Sequence, residues 1–397
     1  MTPLRVGIAG AGIAGLTTAL ALAHRGIAST IFERATELSE VGAGLQVSPN
    51  AGRILEALGL TEALDRAAVQ PDAIDMRSGR TGEPIVSLPL GASARVAYGA
   101  PYRLLHRADL QSLLLNAVRG DARITLNLGA GARGASQSAD AVTLTVGGAA
   151  HEFDCLIAAD GVRSALRGAV PGAAAPRPSG RTAWRTTIPI GLVPRDLPQG
   201  RTTVLLSRAA HVVIYPVRSG RLVNVIVVLE EDWDGPDWSA PGDTEVLRRR
   251  FDSDSTRFVS RFTGLDLNWT RWCLTEIDPR AKWVHGRIAL TGDAAHAMVP
   301  FLAQGAAMAI EDADVLAASL AAAPVPEALK RFEAIRRPRA ARVWRTARQA
   351  GQIYHLGGAM AAARDATMTA LGGERLLQRY DWIYGWRPEE RMPAPPR

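Results

Sequence analysis

The stretch VGIAGAGIAGLTTALALA (residues 6–23) carries no charged side chain and follows directly on Arg5. Its length suits a membrane span or the apolar core of a signal peptide. The arrangement of its glycines points elsewhere. LRVGIA (4–9) reads as a short apolar strand, GAGIAG (10–15) as a turn, and LTTALALAHRG (16–26) as a helix that stops at Gly26. ASTIFER (28–34) is strand-like again and carries Glu33, 18 positions after Gly15.

Each part has a physical task. Gly10 permits the tight turn, Gly12 lets the backbone approach a pyrophosphate, and Gly15 lets helix and strand pack closely. The helix N-terminus offers free N–H groups and positive potential to the phosphates. Glu33 can accept hydrogen bonds from ribose hydroxyls, which disfavours a 2′-phosphate and leaves FAD or NAD as the nucleotide. A signal peptide has no use for glycine at three fixed positions.

Composition bounds the rest. The chain has 397 residues, 47% hydrophobic and 21% charged, as in a globular protein of two or three structural units. Cys155 and Cys273 are remote from one another and lack metal-ligand spacing, so neither a metal site nor a disulfide framework is expected, and the compartment reads as cytoplasmic. The formal charge is +7, almost wholly from arginine; lysine occurs only at Lys282 and Lys330. The arginines are interspersed with acids, and the one cluster, RFEAIRRPRAARVWRTAR (331–348), reads as a basic helix with a solvated face. Neither nucleic acid nor membrane is expected as a partner. A monomer and a homodimer are equally compatible with the sequence. No GxSxG elbow or HExxH is present, so hydrolytic and metalloprotease readings lack their parts.

Two further motifs decide between the dinucleotides. CLIAADGVRSALR (155–167) is an apolar strand running into Asp160-Gly161 and a polar turn that opens a short helix. RIALTGDAAHAMVPFLAQGAAMAIEDADVLAASL (287–320) is a strand entering Gly292-Asp293, a loop past Pro300 and Gln304, and a long helix from Gly305. By itself Gly292-Asp293 also reads as a helix cap after a strand. The one other GxGxxG, GAGARG (129–134), opens no helix-forming segment.

Together, in this order and at these distances, the three motifs resemble the class A FAD-dependent aromatic hydroxylases, in the branch of salicylate hydroxylase, 3-hydroxybenzoate 6-hydroxylase and 6-hydroxynicotinate 3-monooxygenase. The resemblance extends to VGAGLQVSPNAGRILEALGL (41–60), YRLLHRADLQSLL (102–114) and YDWIYGW (380–386), nearly the whole chain. It implies FAD as cofactor and NADH or NADPH as a transient donor without its own Rossmann domain. The implied reaction hydroxylates a small phenolic or heteroaromatic acid with O2 through a flavin C4a-hydroperoxide. The same fold acting on a purine, an antibiotic or a natural-product intermediate is the alternative, and a non-catalytic flavin-binding protein a remoter one.

On the resemblance, Asp293 matches the position at the FAD ribityl and pyrophosphate, and Asp160 one that serves both FAD and the donor, with Arg163 nearby. Arg34 and Arg107 match side chains lying against FAD, and Leu128 falls where the family packs the adenine. Gly292, Pro300, Gly305 and Ala306 belong to the flavin-side loop and helix, whose positive end would stabilise anionic reduced flavin. His211 and Tyr215 lie four apart on one expected strand and so project from one face. Their spacing matches the 3-hydroxybenzoate 6-hydroxylase pattern, which implies a base at His211 and a substrate-orienting role for Tyr215. Gln46 falls close to the flavin ring, where the hydroxynicotinate enzyme carries histidine; that departure counts against a hydroxynicotinate activity. Gln304 is expected against the substrate hydroxyl. Arg185 and Arg208 are candidates, by location only, for a substrate carboxylate. His285 and His355 carry no signal.

The fold class expected is α/β, a Rossmann-like FAD-binding domain with an inserted antiparallel-sheet substrate domain and C-terminal helices. Residues 1–75, 100–180 and 281–320 would form the FAD-binding domain, 76–99 and 181–280 the substrate domain, and 321–397 the C-terminal helical segment. Strands are expected at AWRTTIPI (183–190), RTTVLLS (201–207), HVVIYPVR (211–218) and RLVNVIVVL (221–229), as the floor of the substrate cavity. VRGDARITLN (118–127) and AVTLTVGGAAHEFD (141–154) read as a small strand excursion, and GDTEVLRRRFDS (242–253) as a helix.

Overall fold

A six-stranded sheet is built from segments far apart in the chain. Its order is Val284–His285, Ile288–Leu290, Cys155–Ala158, Val6–Ala9, Ser29–Phe32 and Ile124–Asn127, parallel throughout except for the first pair. The inner strands read VGIA, STIF, CLIA and IAL and are almost wholly buried, as strands covered on both faces must be. The helices Ile13–His24 and Gly305–Ala322 pack on one another beside this sheet. The computed structural model describes residues 3–38, 44–193, 197, 199–235, 237–252, 258–263 and 267–388. Residues 41–43 of the 41–60 stretch and residue 253 of the 242–253 stretch lie outside the described residues.

The excursion expected at 118–154 is divided between two sheets. Ile124–Asn127 joins the parallel sheet beside Ser29–Phe32, reached by the crossover helix Arg107–Arg119. Only Ala132–Gln137, Val142–Val146 and Ala149–Phe153 form a separate three-stranded sheet. Short-range alternation does not reveal which sheet a strand joins; the right-handed crossover does.

The second large sheet has eight strands in the order Ser239–Gly242, Trp269–Glu276, Arg177–Pro189, Leu222–Glu230, Ala210–Val217, Thr202–Ser207, Ala73–Ser78 and Pro84–Pro89. All neighbours are antiparallel except Thr202–Ser207 with Ala73–Ser78. One face, with Trp184, Val212, Ile214, Val225 and Val227, packs an apolar core with Leu247 and Phe251. The other looks toward the strand Arg103–His106 and the helices Val325–Tyr354, Gly358–Gln378 and Asp381–Tyr384. Gly373 approaches Ser87 so closely that a Cβ there would lie 1.7 Å from the Ser87 carbonyl oxygen, which seats the last long helix on the sheet edge.

The basic run 331–348 is only in part a solvated face: Arg342 and Arg345 are exposed, but two of its arginines are turned inward. Arg336 and Arg339 are buried, the first joined to Glu311 and Asp312 and the second to Glu311. No helix among the described residues is long and apolar enough to cross a membrane.

Candidate active site

The three glycines of the opening turn do different things. Gly10 holds φ +101°, and a Cβ there would sit 2.5 Å from the Ala159 carbonyl oxygen. At Gly15 a Cβ would lie 1.9 Å from the Gly10 carbonyl oxygen. At Gly12 a Cβ would meet nothing within 4 Å, because that residue faces a cleft. Glu33 Oε2 accepts from the Ala11 N–H at 2.8 Å and Oε1 from the Ala35 N–H at 2.9 Å, which fixes the carboxylate at the end of its strand. Exposed Arg34 and half-buried Leu128 lie beside it, where the Ala130 N–H donates to the Glu33 carbonyl.

The cleft opens into a cavity of about 280 Å³. Gly12, Ala14, Ala159, Gly161, Gly305 and Ala306 line one side, with the ends of the Ile13–His24 and Gly305–Ala322 helices directed at it. Arg107, Asp293 and Pro300 stand around its rim. Gly292 holds φ +58°, and a Cβ on it would come within 2.9 Å of Ala14. Small residues, two helix N-termini and open space at Gly12, Gly161 and Gly305 make a cradle that fits an extended dinucleotide with a planar ring at one end. Asp160 is set just behind this surface. Its Oδ2 accepts from the Ala165 and Leu166 N–H groups at 2.8 and 3.3 Å, and burial raises its carboxyl against the lowering effect of those bonds and of Ser164.

The opposite wall comes from three adjacent strands in register. His211 faces Val228, Val213 faces Ile226 and Tyr215 faces Asn224, while Arg185 on the next strand faces Ile226. Alternation along the strand puts His211, Val213 and Tyr215 on the cavity side and their neighbours in the core. Tyr215 is 1% exposed and its ring abuts Gly44, whose N–H donates to Asn224 Oδ1 at 2.8 Å. Because a Cβ at Gly44 would lie 2.5 Å from that ring, Gly44→Ala is expected to displace Tyr215. It should cost about 1–3 kcal/mol of stability, measured as the shift of a urea unfolding curve.

His211 is 2% exposed, and burial, His355 and Arg181 hold its imidazole well below the usual histidine range, so it is neutral. Its Nδ1 lies 2.8 Å from His355 Nε2, and His355 Nδ1 lies 2.9 Å from Glu230 Oε1. His355, a residue without signal in the sequence, is therefore brought into contact with the expected base. Burial pushes the Tyr215 hydroxyl up, out of the range in which it ionises near neutrality. Arg185 is sunk beside the cavity with its Nε buried and without a hydrogen-bond partner, its guanidinium 5.8 Å from the Trp272 ring. Burial lowers its pKa, Tyr215 partly offsets this, and Arg107 adds to it.

Gln46 stands at the junction with an inner chamber of about 70 Å³ and accepts from the Tyr102 hydroxyl at 2.6 Å. Tyr102, Tyr354, Tyr380 and Tyr384 line that chamber with Met76 and Leu88. The chamber's tyrosines from the C-terminal helices are residues that strand and turn patterns do not single out.

Two expectations fail on geometry. Gln304 is 1% exposed and turned into the protein, with Nε2 donating to Ser48 Oγ at 2.9 Å and Oε1 accepting from Asn50 at 3.1 Å; its amide is consumed by packing the loop. Arg208 is exposed at the hairpin turn and packs on Gly357 beside a separate surface cavity. It extends away from the wall because it lies beyond the end of the Thr202–Ser207 strand. Arg163 also lies off the main cavity. It pairs with Asp237, lies 5.8 Å from the Trp238 ring, and lines an adjoining cavity of about 470 Å³ that shares Arg107, Arg185, Asp293 and Met298 with the first. Among the described residues no group of three or more His, Cys, Asp or Glu side chains is arranged to hold a metal.

The profile of the family described as FAD binding domain matches residues 3–347. The chain is 36% identical over 391 residues to a 3-hydroxybenzoate 6-hydroxylase of Aquipseudomonas alcaligenes, covering 97% of this chain and 98% of that one. It is 39% identical over 395 residues to a 3-amino-4-hydroxybenzoate 2-monooxygenase of Streptomyces platensis, covering 96% of each. Among solved structures, a salicylate hydroxylase in complex with substrate superimposes with a TM-score of 0.83 at 27% identity, over 98% of this chain and 97% of that one.

Proposed function

This chain belongs to the FAD binding domain family and is an FAD-dependent monooxygenase, and from that premise we propose that it hydroxylates a hydroxybenzoate-like aromatic acid, with NADH or NADPH as donor. FAD, when bound, supplies the activation of oxygen and its transfer to the ring. Gly12, Gly161, Asp293, Gly305 and Ala306 would hold it, with Glu33 at the ribose.

The observation that carries the reading is one wall of one cavity. A neutral, buried imidazole at His211, a hydroxyl at Tyr215 and an unpartnered guanidinium at Arg185 face the cleft together. A phenol that is to be attacked by an electrophilic oxygen is activated by losing its proton, and neutral His211 is the group able to take it. Arg185 offers the charge that a ring carboxylate needs, and Tyr215 a hydrogen bond that orients the ring. Burial of the wall keeps water from competing for these groups. The names of three relatives support a substrate of this class, since each describes a ring bearing both a hydroxyl and a carboxylate. The adjoining cavity, with Arg107, Arg163 and the Trp233, Trp238 and Trp272 rings, is the approach we assign to the donor.

The test follows NADH and NADPH oxidation and product formation by FAD-loaded protein across hydroxybenzoates, aminobenzoates and hydroxypyridine carboxylates. Strong stimulation by one acid, with product formed in step, is the expected result; stimulation by none overturns the aromatic-acid reading. His211→Ala should retain bound FAD and lose hydroxylation by about a hundredfold or more. Full turnover in that variant would remove His211 from the role.

A further inference from the structure

We propose that His355 and Glu230 complete a proton path from the buried cavity to solvent, setting the tautomer of His211 and discharging the proton it takes from the substrate hydroxyl. The proposal rests on the reading of His211 as the base. His211 and His355 are both buried, whereas the Glu230 side chain is 41% exposed, so the chain of three groups runs from cavity to surface. The backbone clamps it as well. The Ala209 N–H donates to the His355 carbonyl at 3.0 Å, and the Glu230 N–H donates to the Ala209 carbonyl at 3.0 Å. The end of the Val325–Tyr354 helix is thereby fixed to the strand hairpin that carries His211.

Hydrogen-bond logic sets the protons. An ionised carboxylate only accepts, so His355 Nδ1 carries the hydrogen toward Glu230. A neutral His355 then presents a lone pair at Nε2, which obliges His211 Nδ1 to donate. His211 is left with its lone pair on Nε2, while its ring lines both the main cavity and the tyrosine chamber. This is the protonation state that a base facing a phenol requires.

Transfer follows the same line. The substrate O–H breaks as an N–H forms on His211 Nε2. The Nδ1 hydrogen of His211 passes to His355 Nε2, that on His355 Nδ1 passes to Glu230, and Glu230 releases it to water. The substrate oxygen keeps the electron pair as phenolate, and no oxidant or reductant takes part. The groups facing the two imidazoles favour onward passage. Arg181 lies close to both rings and 3.3 Å from Glu230, Arg250 acts on His355, and Phe301 and Tyr354 pack on the His211 ring. A proton lingering on either imidazole is repelled by these arginines, while Glu230 attracts it.

The experiment uses FAD-loaded protein and 3-hydroxy-4-nitrobenzoate, whose phenolate absorbs visible light, in weakly buffered solution with a pH indicator. Binding to the wild type is expected to produce phenolate and release a proton in step. Glu230→Gln keeps an acceptor for His355 but is not a proton carrier; it should slow proton release about tenfold or more, with FAD content and probe affinity retained. His355→Gln should do the same, a loss that a purely structural clip would not produce in Glu230→Gln. If both variants release the proton at the wild-type rate while His211→Gln abolishes phenolate formation, the path is overturned and the base reading stands. If His211→Gln still forms phenolate, or the wild type binds the probe without ionising it, the base reading fails first. Should His355→Gln lose its FAD, the exposed Glu230→Gln variant decides alone.

Discussion

Gly12→Val is expected to give a folded protein that no longer holds FAD. Gly12 has φ −74° and ψ −176°, open to any residue, and a Cβ there meets nothing within 4 Å. The polypeptide therefore tolerates the side chain, whereas the cleft does not, because a valine occupies the space through which the pyrophosphate must pass the first helix. The FAD dissociation constant should rise at least about a hundredfold, or roughly 2.7 kcal/mol, with the urea midpoint of the cofactor-free protein unchanged. Full yellow colour after dialysis would show that the cofactor runs elsewhere. The neighbouring substitution Gly15→Val separates the two effects. Its Cβ would collide with the Gly10 carbonyl, so that variant should fail to fold.

The second large effect lies behind the cofactor cleft. Arg336 is wholly buried; its Nε bonds Asp312 at 2.8 Å, its Nη1 bonds Glu311, and its Nη2 donates to the Met308 carbonyl at 3.2 Å. Glu311 in turn accepts from Asn50 at 2.7 Å, and Asp312 lies 2.6 Å from His296 Nε2. Arg336→Met removes the cation shared by two buried carboxylates, leaving Glu311 to Arg339 and Asn50 and Asp312 to His296, and breaking such a buried pair costs about 3–5 kcal/mol. Burial alone would raise Asp312, but His296 and Arg336 outweigh it and hold the carboxyl at about 2. A depressed folded pKa means stability fully present above the ordinary value of 3.8 and lost as the pH falls toward about 2. The variant should therefore unfold at lower urea concentration at pH 7 and at higher pH on acidification. An unchanged urea midpoint would show that the network contributes nothing to stability.

The parts legible in the sequence are those whose pattern is local. Gly10, Gly12, Gly15 and Glu33 occur within one strand–turn–helix–strand, and the strands 202–207, 210–217 and 222–230, with the apolar end of 177–189, announce themselves by short apolar runs between turns. That His211 and Tyr215 share a face follows from the period of two. What stayed hidden depends on distant neighbours. His355 ends a helix and acquires meaning only because the 209–211 hairpin lies against it. Tyr380 and Tyr384 form the chamber wall because a kink at Gly372, with φ +74°, and the close approach of Gly373 direct the last helices across the sheet edge. The resemblance points Gln304 at the substrate hydroxyl, but Ser48 and Asn50 occupy its amide, and no local rule records them. Arg336 and Arg339 look solvated in the run 331–348 until Glu311 and Asp312 are found beneath them.

The order of the strands has a consequence for how the chain reaches its native state. Leu156 pairs in parallel with Ile288, and between them the chain completes most of a second sheet. Parallel pairing over such a separation carries a large loop-closure entropy before any contact rewards it, and high contact order slows folding. The cofactor cradle needs both the Ile13–His24 and the Gly305–Ala322 helices, so it cannot exist in a chain that has folded only its first two hundred residues. Flavin uptake is thus a late kinetic event, and the rate at which refolding protein regains its bound flavin reports the closing of this long crossover.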